Sequence, residues 1–203
     1  MKVTFPAWAG AAIASGALAA GIAVATAIPA AASTAARGSA AAAVTDAATA
    51  QALQPWPVLR QGPNSQWPRV TVRSLQYLLN ARGARLAVDG QFGSKTKAAV
   101  VKFQRARHLT ADGVVGAATW RALIVTVQRG STGPAVRAVQ DQINFRNLRN
   151  GHTLNVDGIF GPNTATAVRA FQRAMATEIP GFGVDGIVGP QTWQALVTEA
   201  LSG

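Results

Sequence analysis

The sequence contains no cysteine, and this absence removes several classes of site at once. Without Cys the chain can form no disulfide, offers no thiolate nucleophile and supplies no sulfur ligand to a metal. Histidine is scarce as well: His108 and His152 are the two present, and they form neither an H-x-H nor an H-E-x-x-H arrangement. A zinc site is therefore not expected. We interpret both histidines as solvated surface residues and expect no metal and no cofactor.

Charged residues are missing from residues 7–36, a run rich in Ala, Gly, Ile and Val that follows the basic Lys2. Small residues around Ala32 suit an A-x-A cleavage site, so we predict a signal peptide over residues 1–32 and a secreted or cell-wall protein. A retained membrane anchor is the alternative, because the run is long enough to span a bilayer. Residues 33–55 are low in complexity and predict a tether.

What the chain does contain is one eight-residue pattern that occurs four times. It reads DGQFGSKT at 89–96, DGVVGAAT at 112–119, DGIFGPNT at 157–164 and DGIVGPQT at 185–192. We name this pattern, Asp-Gly-x-Φ-Gly-x-x-Thr with Phe or Val at Φ, the Asp-Gly frame. The 22 residues from Val88 match those from Val156 at 12 positions without a gap, which identifies an internal duplication. We place repeat 1 at 56–125 and repeat 2 at 126–203.

Apolar residues around the frames recur with the period of an α-helix. In the block before the first frame of each repeat they fall at i, i+3 and i+7, as Val72, Leu75 and Leu79 and as Val136, Val139 and Ile143. The block after that frame has a similar spacing in Val168, Phe171 and Met175. A Trp-x-x-Leu pair then gives a short third helix its buried face. We predict an all-α fold of two tandem three-helix domains.

The Asp-Gly frame is predicted to start a helix. Its first glycine allows a turn that strains other residues, and its second can occupy the helix N-cap, with Pro162 or Pro190 next. The Asp carboxylate is expected to accept hydrogen bonds from free N–H groups at the helix start. This interpretation gives a structural turn and cap role to Asp89, Asp112, Asp157 and Asp185.

The acidic residues outside the frames do not suggest a catalytic pair. Glycan cleavage requires two carboxylates with separated pKa values, and the acids that remain are Asp46, Asp141, Glu178 and Glu199. Glu178 is close in sequence to Asp185, but the frame already gives Asp185 a structural role. No Ser, His and Asp constellation suggests a triad, since neither histidine recurs in the other repeat. The chain is therefore expected not to be an enzyme.

The order D-G-x-F-G-x-x-T-x-x-A-V-x-x-F-Q, followed by D-G-x-V-G-x-x-T-W-x-x-L, closely resembles the peptidoglycan-binding domain family. That family accompanies many bacterial cell-wall amidases, carboxypeptidases and lytic enzymes. The resemblance extends over both repeats and implies a three-helix fold with non-catalytic binding of peptidoglycan. The alternative is an accessory or targeting subunit of a cell-wall hydrolase, or a hydrolase itself.

Two segments depart from the pattern of this family. Repeat 1 opens with RQGPNSQWPRVTVRSLQ, which is longer than the corresponding RGSTGPAVRAVQ of repeat 2. Repeat 2 carries the insertion ATEIPGFG, which is expected to lengthen the loop between its second and third helices. Repeat 1 is expected to enter its first helix differently, and a groove bordered by the inserted loop is expected to differ between the repeats.

Basic residues outnumber acidic ones by 19 to 8, which gives a formal net charge of +11. They are scattered and lack the interleaved aromatic residues that stack on bases, so nucleic acid is not the expected partner. Peptidoglycan is, with anionic wall polymers or a cell-wall hydrolase as further partners. A membrane would be a partner only if the signal segment is retained.

Polar residues kept in both repeats are the candidates for ligand contact: Gln76 with Gln140, Gln104 with Gln172, and Arg105 with Arg173. Structural hydrogen bonding is the alternative for the glutamines, because an amide can serve either purpose. The arginines offer forked donors suited to a stem-peptide carboxylate. Trp120 and Trp193 are candidates for stacking on a sugar, with a place in the core as the alternative.

Overall fold

The computed structural model describes residues 52–63, 66–146 and 153–198, all within one compact unit of the chain, Asp46–Gly203. The predicted signal peptide and residues 33–51 of the predicted tether lie outside the described residues, as do His152 and Glu199. Within the described ranges, no helix combines the length and the apolar character needed to cross a membrane.

Helices account for the regular structure of the described residues, which confirms the predicted all-α fold of two three-helix repeats. In chain order they are α1 (Arg69–Ala81), α2 (Ser94–Ala106) and α3 (Ala117–Leu123) in repeat 1, then α4 (Pro134–Arg146), α5 (Pro162–Glu178) and α6 (Pro190–Thr198) in repeat 2. Each Asp-Gly frame joins one helix to the next.

The core includes the residues that the helical spacing predicts to be buried. Trp120 and Trp193 are both 0% exposed, and Leu75, Val100, Val139 and Met175 are fully buried beside them. Burying a side chain of this size contributes about 1.5 to 3 kcal/mol to folding. The repeats therefore fold around a core that is mainly apolar and contains no disulfide.

Glycines set the backbone where the helices begin. Gly90, the first glycine of its frame, has φ +71°, and a Cβ there would lie 3.2 Å from the Arg69 carbonyl oxygen. Gly93 and Gly161, the second glycines of their frames, occupy the N-caps of α2 and α5, and Pro162 follows at the first position of α5. Proline at that position sacrifices no helical hydrogen bond.

A short extended segment before the first helix of each repeat closes its core. Leu59 and Val115 exchange backbone hydrogen bonds of 3.1 and 2.8 Å, and Val127 pairs in the same way with Val188. The indole N–H of Trp120 donates to the Pro57 carbonyl at 2.7 Å. Each third helix is therefore held by the chain that precedes the first helix of its own repeat.

The end of the predicted tether also contacts the fold. Leu53 packs against the core, and the Gln194 amide donates to the Gln54 carbonyl oxygen at 2.7 Å. Trp56 is buried and stacks on Trp120, with 6.0 Å between ring centres. Residues 52–55, which the sequence assigned to the tether, therefore help to join the chain before repeat 1 to repeat 2.

The insertion in repeat 2 lengthens a helix as well as a loop, which corrects the sequence-based expectation. Helix α5 has 17 residues where α2 has 13, and it continues through Glu178. Ile179 and Phe182 then turn inward and are buried. The helix ends at Glu178 because Ile179, the next residue, precedes Pro180, and the residue before a proline is disfavoured in helical conformation.

The two repeats pack against each other through their first helices, α1 and α4. Arg73 on α1 forms a two-point ion pair with Asp141 on α4. Beside it the buried Gln142 amide donates to the Ser74 hydroxyl at 2.9 Å. The repeats thus share a packed interface and are not separate domains on a flexible linker.

Candidate functional site

Each Asp-Gly frame is held by one glutamine from the helix before it. In the first frame the Gln76 Nε2 donates to the Asp89 carboxylate at 2.7 Å, and it also lies within reach of the Gln91 carbonyl and the Thr96 hydroxyl. The Gln76 Oε1 accepts the N–H of Gly90 at 2.9 Å. Both ends of the amide are therefore bonded inside the protein.

The same arrangement is present at the three other frames. Gln104, Gln140 and Gln172 donate to Asp112, Asp157 and Asp185 over 3.2, 2.8 and 2.9 Å, respectively. Each also accepts the N–H of the following glycine. The glutamines that the sequence pairs two by two are thus four copies of one device, which fixes a helix to the start of the next.

The four aspartates hold turns, and those before α2, α3 and α5 do not cap the helix that follows, which corrects the predicted cap role of Asp89, Asp112 and Asp157. Asp89 accepts the N–H of Gln91, two residues further on, at 2.8 Å, and the other three do likewise. The N-cap glycines of α2, α3 and α5 are not joined by any side-chain cap hydrogen bond. The free N–H groups of the helix start lie beyond the turn that each carboxylate closes.

The hydrogen bonds to these carboxylates stabilise their ionised forms. The Gln76 amide and then the Gln91 N–H lower the pKa of Asp89. The N–H groups of Val114, Ile159 and Ile187 are the main cause of the lowered pKa of Asp112, Asp157 and Asp185. A carboxylate with such donors titrates at lower pH, because the donors favour its charged form.

Six of the eight predicted ligand contacts lie inside the protein. The four glutamines are no more than 1% exposed, and Trp120 and Trp193 are 0% exposed. The Trp193 indole N–H donates to the Val125 carbonyl at 2.8 Å, as that of Trp120 does to Pro57. Rings in this position cannot stack on a sugar in the folded protein, so the alternative core interpretation describes both tryptophans.

The two remaining candidates, Arg105 and Arg173, are exposed at equivalent positions on α2 and α5. Arg105 borders a shallow groove together with Lys97 and Lys102. At the positions of these lysines repeat 2 has Ala165 and Ala170. The two arginines are therefore available to a ligand, in different surroundings.

Two further pairs of polar residues recur in both repeats and were missed by the sequence analysis. Asn80 and Asn144 each exchange two hydrogen bonds with the backbone of a leucine in the following loop, Leu86 or Leu154. The guanidinium of Arg82 donates to carbonyls at the end of α3, as does that of Arg146 at α6. Continuing the alignment past Leu79 would have revealed both pairs.

The model of the family described as "putative peptidoglycan binding domain" matches the chain at residues 69–123 and 132–196. Each matched segment begins near the start of a first helix and extends to a third helix. Together they cover more than half of the chain, including all four Asp-Gly frames.

Several curated proteins are similar to parts of the chain. The zinc D-Ala-D-Ala carboxypeptidase of Streptomyces albus G is 63% identical over 38 residues, 19% of this chain and 15% of the relative. A probable N-acetylmuramoyl-L-alanine amidase of Bacillus licheniformis is 27% identical over 147 residues, 60% of this chain and 40% of the relative. The spore cortex-lytic enzyme of Bacillus subtilis is 35% identical over 74 residues, 36% of this chain and 22% of the relative.

These names overturn the expectation that the chain is not an enzyme. The relatives that match it are named as an amidase and a lytic enzyme, so a lack of catalytic motifs within the repeats does not separate the chain from enzymes. The chain spans between 15% and 42% of the length of the curated relatives it matches. Through the matches over both three-helix repeats, the chain belongs to the peptidoglycan-binding domain family.

Proposed function

We propose that this chain binds peptidoglycan in the bacterial cell wall, outside the cytoplasm, through both of its repeats. The observation that carries the proposal is the match of the peptidoglycan-binding family to residues 69–123 and 132–196. The names of the relatives support a role in cell-wall hydrolysis. In that role the repeats hold a hydrolytic domain against its polymer, whether that domain belongs to the same polypeptide or to a partner.

The charge of the chain supports an anionic wall ligand. The formal net charge is +11, and the stem peptides of peptidoglycan carry carboxylates. A positive surface raises the local concentration of such a polymer and speeds association. We include Arg105 and Arg173 among the ligand contacts, because both are exposed and forked donors bind carboxylates well. The buried glutamines and tryptophans are not part of the proposed surface.

Co-sedimentation with purified sacculi tests the binding proposal directly. We expect the chain to pellet with sacculi and to remain in solution with cellulose, an uncharged polymer of the same insolubility. Double-stranded DNA at equal charge concentration serves as the second control. Retention on DNA equal to that on sacculi would mean that charge alone explains the binding.

A fusion tests the role in hydrolysis. An amidase catalytic domain joined to this chain should digest sacculi faster than the same domain alone, because binding raises its effective concentration on the polymer. Both proteins should digest a small soluble muropeptide at equal rates. Equal rates on sacculi as well would rule out the targeting role.

A further inference from the structure

Repeat 1 contains a groove of about 640 Å³ between the end of α1, the loop that follows it and the end of α2. Its floor includes the apolar side chains of Leu79, Leu86 and Phe103. Its basic residues are Arg82, Arg85, Lys102 and Arg107. The groove therefore combines an apolar floor with a positively charged rim.

These charges line one groove and are not balanced by acids that line it. Neither Asp nor Glu is among the lining residues. Partial burial, followed by the nearby positive charge of Arg107, lowers the pKa of Arg82. The Arg107 guanidinium lies 5.6 Å from the centre of the Phe103 ring. An anion in the groove would relieve repulsion between like charges as well as accept hydrogen bonds.

Repeat 2 lacks two of the four charges. The duplication aligns Lys102 with Ala170 and Arg107 with Met175, and Met175 is fully buried. Arg146, the counterpart of Arg82, lies over the Phe171 ring. The duplication thus kept the helices and the frames in both copies, but the charges of Lys102 and Arg107 are not kept at the aligned positions of repeat 2.

We propose that this groove binds the stem peptide of peptidoglycan through the peptide's carboxylates, so that repeat 1 recognises the peptide portion of the polymer. The inference rests on the proposed function and assigns the part of the ligand that repeat 1 contacts. The apolar floor favours a peptide, whose alanine methyl groups can pack on Phe103 and Leu86. A phosphodiester wall polymer satisfies the charges but has little to place against that floor.

The test uses the full chain and a variant without three of the charges, Arg85→Gln with Lys102→Gln and Arg107→Gln. Arg82 is left in place because it donates to the carbonyls at the end of α3. A control variant, Arg121→Gln with Arg129→Gln and Lys95→Gln, loses the same charge at exposed positions outside the groove. The probes are a muropeptide with its stem peptide, the same muropeptide with amidated carboxylates, the peptide-free disaccharide and a glycerol-phosphate polymer.

We expect the unmodified chain and the control variant to bind the muropeptide equally, and the groove variant to bind it about tenfold less tightly, a modest sum over exposed ion pairs. Amidation of the muropeptide should weaken its binding to the unmodified chain by a similar factor. Equal melting temperatures of the three proteins show that the fold is intact.

Three results would overturn the assignment. Equal affinity of the unmodified chain for the free and the amidated muropeptide would show that its carboxylates are not recognised. Binding of the disaccharide alone as tightly as of the muropeptide would place the contact on the glycan. Binding of the glycerol-phosphate polymer, lost in the groove variant, together with no binding of the muropeptide, would assign the groove to the phosphate polymer. In each case retention on sacculi, measured in parallel, reports separately on the proposed function.

Discussion

Arg73 and Asp141 form an ion pair of 2.7 and 2.8 Å that joins the first helix of one repeat to the first helix of the other. In the alignment of the two repeats, Arg137 is equivalent to Arg73, and Tyr77 is equivalent to Asp141. Arg137 lies close enough to Tyr77 to affect its pKa, although burial is the main influence and raises it. The two helices therefore meet in a nearly symmetric manner, and sequence changes at the interface have made one side an ion pair.

The buried hydrogen bond beside this ion pair should contribute measurably to stability. Replacing Gln142 by Leu leaves the Ser74 hydroxyl without its donor, and we expect the free energy of unfolding to fall by about 1 to 2 kcal/mol. Adding Ser74→Ala should recover part of the loss, because both polar groups are then removed. Chemical denaturation of the two single variants and the double variant measures this coupling. Strictly additive losses would show that the two side chains do not interact.

Substitution of a frame glutamine should lower the stability of the fold, and any loss of binding should follow from that loss of stability. Gln172→Leu removes the donor to Asp185 and the acceptor for the Gly186 N–H, and we expect a loss of about 1 to 3 kcal/mol. The exposed Gln128→Leu is the control and should change stability little. Denaturant unfolding and retention on sacculi are measured on the same preparations. A Gln172→Leu chain with normal stability and no retention would transfer this glutamine from the scaffold to the ligand site.

The lowered pKa values of the frame aspartates predict that the protein loses stability in acid. Their pKa values are lowered in the folded state, so their contribution is complete above the unfolded-state value of about 4. It is lost as the pH falls through the lower folded-state values. We expect the melting temperature to drop below about pH 4, and Asp89→Asn to show a smaller drop from its own neutral value. Parallel melting curves for the two proteins between neutral pH and pH 2 would contradict this.

Substituting the exposed Arg105 and Arg173, singly and together, tests whether both repeats bind. Single substitutions, Arg105→Gln or Arg173→Gln, should reduce retention on sacculi modestly, whereas the double variant should lose much more. Two sites on one repetitive polymer can gain about 10² in avidity, and a soluble muropeptide offers no such gain. Retention is measured on sacculi, and affinity is measured on the muropeptide. A double variant no weaker than the weaker single variant would mean that one repeat does not contribute.

Point substitutions are preferable to truncation in this experiment, because the repeats share buried contacts. Cutting the chain after residue 125 would remove α4 from α1 and would separate the Trp193 indole from the Val125 carbonyl, which are 2.8 Å apart. We expect the isolated second repeat to unfold at lower temperature than the intact chain. Thermal melts of both monitor this difference.

The helices and the core could be predicted from the sequence because they follow from local periodicity. Leu75 and Leu79 fall on one face of α1, and turn glycines mark where α2 begins. The contact between the repeats could not be predicted from this periodicity, because Ser74 and Gln142 are polar residues outside the apolar stripe. Leu78 lies one helical turn after Ser74 on α1, beside the stripe of Leu75 and Leu79, and it is fully buried. An apolar residue at this position was the available signal for a second buried face.

The candidate site was harder to predict because an amide has both a donor and an acceptor. Repetition of Gln76 at Gln140 is compatible with a ligand contact or with a structural bond. The distinction depends on where Asp89 and Gly90 lie relative to the amide, which is a matter of tertiary structure. The groove at Lys102 is the opposite case, because Lys102 and Arg107 are found by asking which positions differ between the repeats.

The short connection between the repeats fixes how far apart they lie, which affects binding to a repetitive polymer. Helix α3 ends at Leu123, the Val125 carbonyl holds Trp193, and Val127 is paired with Val188. Together with the packing of α1 on α4, these contacts hold the two repeats at a fixed distance, so the proposed binding by both repeats would depend on the spacing of sites along the polymer. A polymer whose attachment points recur at the matching interval can engage both repeats at once. A polymer with a different interval engages one repeat at a time and is released sooner.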